Sequence, residues 1–107
     1  MQIEYPKNNY ISEFELQSKL YSKIKELGFD IKGEVVFSNK NPNIKCIFDL
    51  VIFKEKQAIC IIEVKNTKRK NVNKSGRQYK KYLLFGIPLF YYFGENEIEI
   101  INQIKKL

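Results

Sequence analysis

The sequence has 107 residues, which is enough for a single domain with one modest core. Its 44% hydrophobic and 14% aromatic content is typical of a folded protein. It contains no His, which excludes Ser-His and Cys-His nucleophiles and His-ligated zinc sites. A formal net charge of +7 suits a polyanionic partner, so chemistry would rely on carboxylates, lysines or a hard metal ion. Because no apolar run approaches the ~20 residues that span a bilayer, and the first residues are not those of a signal peptide, we expect a cytoplasmic protein without a membrane partner.

An amphipathic helix is predicted near the start of the chain, after a loosely held lead-in at residues 1–11. Ser12 and Glu15 have the spacing of a capping box, so the helix should begin at residue 12 or 13. Gly28 supplies its C-terminal stop. Apolar residues recur at helical spacing in between, at Leu16, Leu20, Ile24 and Leu27. Glu13 lies in the first turn, where the helix dipole favours a carboxylate regardless of any further role.

A short first strand is predicted at Glu34–Phe37, and the polar, Asn-rich residues 38–43 should form the loop that follows it. Glu34 is a candidate site carboxylate, although its place at a strand end makes solvent exposure the simpler interpretation.

The next two segments predict a hairpin. Residues 46–53 and 58–66 are rich in β-branched and aromatic side chains, and the polar residues 54–57 separate them. Each segment is apolar on both faces, which is typical of central strands covered by helices. Cys46 and Cys60 have no metal-ligand spacing, so we expect two reduced, buried thiols that could lie near each other across the hairpin.

Three charged residues lie within this apolar hairpin, at Asp49, Glu63 and Lys65. A buried charge is costly unless it is paired or binds a metal. Glu63 and Lys65 share a strand face, about 6.6 Å apart. With an even loop Asp49 would face away from Glu63, so we predict an odd loop or a β-bulge that places the two opposite each other. An ion pair with Lys65, or charges exposed at strand ends, is the alternative interpretation.

The segment after the hairpin is strongly basic. No acidic residue occurs between Glu63 and Glu95. A second helix is predicted from Gln78 to Phe85, followed by a strand within residues 87–94, and residues 97–107 could form a short strand and a helical tail. The candidate contacts to a nucleic acid are Lys68, Arg69, Lys70, Lys74, Arg77 and Lys81. A merely basic surface would show the same pattern.

Asp49, thirteen further residues and then Glu63-Val64-Lys65 resemble the D…(D/E)-x-K signature of the PD-(D/E)XK, or restriction-endonuclease-like, nuclease superfamily. Phe48 stands where the name of the motif has proline. The run Ser12-Glu13-x-x-x-Gln17 is similar to the start of nuclease domains in type I restriction subunits and VRR-type nucleases. The spacing of Lys74, Gln78 and Tyr82 is similar to that of the helix that follows the third strand in this superfamily.

The resemblance implies an α/β fold with an αβββαβ core over about residues 12–93, a central mixed sheet flanked by helices. It implies a Mg²⁺-dependent endonuclease, with Mn²⁺ as a substitute, that cleaves DNA more readily than RNA. Asp49, Glu63 and the Val64 carbonyl would bind the metal, Lys65 would position the water, Gln78 would support it, and Glu13 could bind a second ion. A small domain has little surface for sequence recognition, so we expect a homodimer or a larger nuclease assembly. The alternatives are a non-catalytic nucleic-acid-binding module and a protein- or membrane-surface module.

Overall fold

The computed structural model describes residues 12–40, 43–65 and 85–107. These residues form an α/β fold with a four-stranded mixed sheet and two helices. The elements are α1 (Glu13–Glu26), β1 (Asp30–Lys40), β2 (Asn43–Lys54), β3 (Gln57–Val64), β4 (Leu89–Tyr92) and α2 (Glu97–Lys105). The strand order is β1-β2-β3-β4, in which the first three strands are antiparallel and β4 is parallel to β3.

Helix α1 begins and ends where the sequence predicts. The Ser12 hydroxyl accepts a hydrogen bond from the Glu15 amide at 3.2 Å, which is the first half of the expected capping box. Gly28, just past the end of the helix, has φ +94°, a conformation that glycine adopts without steric cost. Leu16, Leu20 and Ile24 are buried, so three positions of the predicted apolar stripe face the core, whereas the fourth, Leu27, is exposed beyond the end of the helix.

The central hairpin is confirmed, with a tighter turn than expected. Lys54 pairs with Gln57, so Glu55 and Lys56 alone connect the strands. Both have positive φ, at +52° and +67°, which a two-residue turn of type I′ requires. A turn of this type matches the right-handed twist of the strands. The outer two of the four residues predicted to separate the strands, Lys54 and Gln57, can therefore pair with each other.

Strand β1 is longer than predicted, because it runs from Asp30 to Lys40 rather than from Glu34 to Phe37. The sequence predicts a loop from residue 38 onward, but pairing with β2 along nearly the whole length of β1 keeps its backbone extended as far as Lys40. β4 lies within the predicted last strand.

The described residues after β4 form a helix, and the short strand expected there is not found. Ile100 and Ile104 are one turn apart and are both buried, so packing overrides the strand preference of β-branched residues. Asn96 fixes the preceding turn, since its side chain accepts from the Phe93 amide and donates to the Tyr91 carbonyl, both at 2.8 Å.

The sheet has an apolar cluster on each face. Both described helices pack on one face, where Leu20, Ile62 and Ile104 belong to the same buried cluster. Phe37, Phe48 and Phe85 pack edge to face on the other side, with ring centroids 5.0–5.9 Å apart. The predicted helix that would cover this second face lies mostly at residues 78–84, outside the described residues, although Phe85 itself lies in a turn.

Both cysteines are buried free thiols, as predicted, but they belong to clusters on opposite faces of the sheet. Within the described ranges, neither helix has the length and apolar character needed to cross a membrane.

Candidate functional site

A β-bulge brings the two predicted carboxylates together. Phe53 pairs with Ala58 but Ile52 pairs with Cys60, so Ile59 is an extra residue on β3. Beyond the bulge the register stays regular as far as Leu50 and Ile62. Its continuation places Asp49 opposite Glu63, which confirms the irregularity that the sequence predicts.

At this position the two carboxylates replace the hydrogen-bond ladder between β2 and β3. The Val64 amide donates to Asp49 Oδ2 at 2.8 Å, and the Asp49 amide donates to Glu63 Oε1 at 3.1 Å. Because a residue's N–H and C=O point to the same edge of a regular strand, the Val64 carbonyl lies on the edge that faces Asp49. Two carboxylates and one backbone carbonyl are thereby directed to the gap between the strands.

Burial changes the protonation of Glu63. Glu63 is only 4% exposed. Loss of hydration is the main cause that raises its pKa to about 8; the neighbouring Asp49 charge and a side-chain hydrogen bond with Asp49 act in the same direction, whereas the hydrogen bond from the Asp49 amide and the Lys65 charge lower the pKa. At neutral pH Glu63 therefore holds a proton next to the Asp49 carboxylate.

Lys65 directly follows β3, and its amide donates to the Tyr92 carbonyl of β4 at 2.8 Å. The positive charge of Lys65 interacts with Glu63 and lowers the pKa of that carboxyl. Within residues 43–65 no ion pair joins Lys65 to Asp49 or Glu63. The ion pair with Lys65 that was one alternative explanation of these three charges is therefore not found among the residues that the structure describes.

Gln17 and Glu34 join the site from the other side of Asp49. Gln17 Nε2 donates to the Asp49 carbonyl and to Glu34 Oε1, both at 3.0 Å. Glu34 is exposed, as expected, but sequence reasoning gave Gln17 no role. Gly33 was the available signal, because a glycine inside a strand often marks a close approach: a Cβ there would lie 3.7 Å from the Asp49 carbonyl and 3.8 Å from Gln17 Nε2.

Of the remaining predicted site residues, the structure describes only Glu13. Glu13 is exposed in the first turn of α1, one turn before Gln17. Among the residues described, no group of three or more acidic or Cys side chains is close enough to hold a metal ion, so Glu13 is not gathered with Asp49 and Glu63. Gln78 and the six basic residues Lys68, Arg69, Lys70, Lys74, Arg77 and Lys81 lie outside the described residues.

An open cavity of about 470 Å³ lies beside Gln17, between α1 and β1. Besides Gln17 it is lined by Ser18, Tyr21, Ser22, Gly33, Glu34 and Leu50, with polar and apolar surface in similar amounts. The cavity adjoins the Asp49 carbonyl through the Gln17 side chain.

Comparison with family models, with curated proteins and with solved structures found no match to this chain.

Proposed function

We propose that this protein is a metal-dependent nuclease that hydrolyses phosphodiester bonds, DNA more readily than RNA, on a restriction-endonuclease-like core. The observation that carries the proposal is the Asp49–Glu63 carboxyl pair, in which Glu63 is buried and Asp49 half-buried, at the point where β2 and β3 lose their ladder and directly before Lys65. The order of one helix, three antiparallel strands and a fourth strand parallel to the third supports the core.

The residues at this position fit a divalent cation. A buried carboxyl next to another carboxylate ionises only if positive charge compensates it, and without such a charge Glu63 stays protonated at neutral pH. Carboxylate and carbonyl oxygens are the ligands that Mg²⁺ prefers. Asp49, Glu63 and the Val64 carbonyl would hold Mg²⁺ or Mn²⁺, which would polarise a phosphate oxygen and acidify a bound water.

Glu63, Lys65 and the Val64 amide have separate roles in the proposed reaction. Glu63 would have to release its proton for the pair to hold a cation with both carboxylates charged. Lys65, on the same strand face as Glu63, presents an ammonium group that orients the attacking water or offsets the charge that develops on phosphorus. The Val64 amide holds Asp49 in place through a 2.8 Å hydrogen bond, which keeps the carboxylate from rotating away.

The basic segment supplies affinity for the substrate in this proposal. Seven lysine and arginine residues between positions 68 and 81 follow Lys65 in sequence without an intervening acid. Contacts to backbone phosphates would give binding that weakens with salt and does not depend on sequence. Gln78 would support Lys65, and Glu13 would bind a second ion or a water, as the resemblance implies.

The test is cleavage of supercoiled plasmid, single-stranded DNA and RNA with Mg²⁺, Mn²⁺ or EDTA. Asp49→Asn and Lys65→Ala should each reduce metal-dependent cleavage by at least about 100-fold, in the range of single losses of transition-state stabilisation. Asn retains an oxygen that can accept from the Val64 amide, so the first variant should stay folded. Asp30→Asn and Lys45→Ala are matched controls, because both residues are exposed and belong to the same sheet.

Each outcome separates the proposal from its rival. Cleavage that requires metal and is lost in both variants but in neither control supports the nuclease. Salt-sensitive binding that ignores metal, with no cleavage by any protein, would instead establish a non-catalytic nucleic-acid-binding module.

A further inference from the structure

Strands β1 and β2 share an irregularity at Glu34 and Asp49. Cα partners run without a shift from Asp30 to Lys40, except that Glu34 and Asp49, which the register would place opposite each other, are not paired. Glu34 has φ +55°, a left-handed conformation that is unfavourable for a residue with a Cβ.

The irregularity reverses which face the side chains occupy. In a regular strand Phe48 and Leu50 would lie on one face, yet they belong to clusters on opposite faces. On β1, Ile31 packs on the helix face and Val35 on the other, although their spacing is even as well. Both strands therefore change phase at one point, and Asp49 lies at that point.

Gln17 is the side chain that bridges this point. Its single amide nitrogen donates one proton to the Asp49 carbonyl and the other to the Glu34 carboxylate. Both donors of the Nε2 group are used, so the position of the amide is defined from two sides. The Asp49 side chain, in turn, is bonded to Val64 on β3.

We infer that Gln17, anchored by Glu34, is a positioning residue that holds the Asp49 main chain out of the regular ladder and so directs its carboxylate to Val64 and Glu63. The inference rests on the proposed function for its effect on catalysis. Its structural part, the coupling of Gln17 to the Asp49–Val64 hydrogen bond, is measurable without metal or substrate.

The test uses Gln17→Met, which keeps side-chain length and helix propensity but removes both donors. We expect kcat for plasmid cleavage to fall about 10- to 100-fold, as for other residues that orient a metal ligand, with KM within about twofold. In the metal-free protein, the Val64 amide proton should lose the downfield NMR shift that a carboxylate acceptor gives. Gln103→Met is the matched control, since Gln103 lies on α2 on the same sheet face, and it should change neither.

Glu34→Gly provides an independent variant, because glycine accepts the left-handed backbone while the anchor for Gln17 is lost. It should be at least as stable as wild type to urea but show the same reduced kcat and the same Val64 shift. A Val64 resonance unmoved in both variants overturns the inference, whatever the kinetics. A wild-type protein that does not cleave under any condition refutes the proposed function instead, and the Val64 resonance still decides the role of Gln17.

Discussion

The protonation of Glu63 makes a prediction about stability that needs no substrate. In Glu63→Gln, the amide keeps an oxygen for the Asp49 N–H and a donor for the Asp49 carboxylate, and it never ionises. Burial raises the pKa of the wild-type Glu63 carboxyl from 4.5 to about 8, a pKa difference of about 3.5. At ~1.4 kcal/mol per unit, this corresponds to about 5 kcal/mol between the two ends of the titration.

The sign follows from which state binds the proton more tightly. The folded protein holds it up to about pH 8 and the unfolded chain only to about pH 4.5, so stability is fully present below pH 4.5 and is lost as pH rises to 8. Because the chain has no His, few other groups titrate in the upper part of this window. Wild type should therefore lose on the order of 5 kcal/mol of unfolding free energy relative to Glu63→Gln between pH 4.5 and 8.

Urea unfolding followed by far-UV circular dichroism at pH 5, 6.5 and 8 measures this difference. Glu26→Gln, an exposed residue at the end of α1, is the control and should keep the wild-type dependence on pH. Added Mg²⁺ or Mn²⁺ should restore stability to wild type at pH 8 and have little effect on Glu63→Gln, since a cation that binds the folded state stabilises it. Equal pH dependence in wild type and Glu63→Gln would refute the argument that burial keeps this carboxyl protonated.

Two further predictions concern the hairpin. Lys56→Gly should stabilise the protein by about 0.5–1 kcal/mol, because it relieves a left-handed residue at the turn, whereas Lys54→Gly on the adjoining strand should destabilise it; thermal unfolding of both variants checks the opposite signs. Burial raises the pKa of the Cys60 thiol to about 12 and leaves it unexposed, so iodoacetamide at pH 8 should label Cys60 only after unfolding in urea; peptide mapping that finds rapid labelling of the native protein would contradict this.

The central hairpin could be predicted because its requirements are local. β-branched and aromatic composition on either side of a polar break indicated the two strands, and the cost of placing Asp49 and Glu63 in an apolar hairpin predicted the bulge between them. The bulge itself, at Ile59, carries no sequence signal of its own. Only the need to place Asp49 opposite Glu63 predicts it.

Sequence-based prediction failed where contacts between residues far apart in the sequence determine the structure. Residues 97–107 contain four isoleucines, a composition that favours strands, and only the packing of Ile100 and Ile104 against the sheet selects a helix. Gln17 and Glu34 are 17 residues apart, and the Asp49 carbonyl that Gln17 contacts is 32 residues away. No periodicity within one element could have indicated that these groups meet.

The break at Glu34 also affects how the protein behaves in solution. In the described sheet β1 is an outer strand, and a long unbroken outer strand is a template on which further chains can add and aggregate. The left-handed residue divides β1 into two short paired runs, 30–33 and 35–40, and places a charged side chain between them. One irregular residue thus contacts the site through Gln17 and also shortens the regular runs of this outer strand of the described sheet, which disfavours the addition of further chains there.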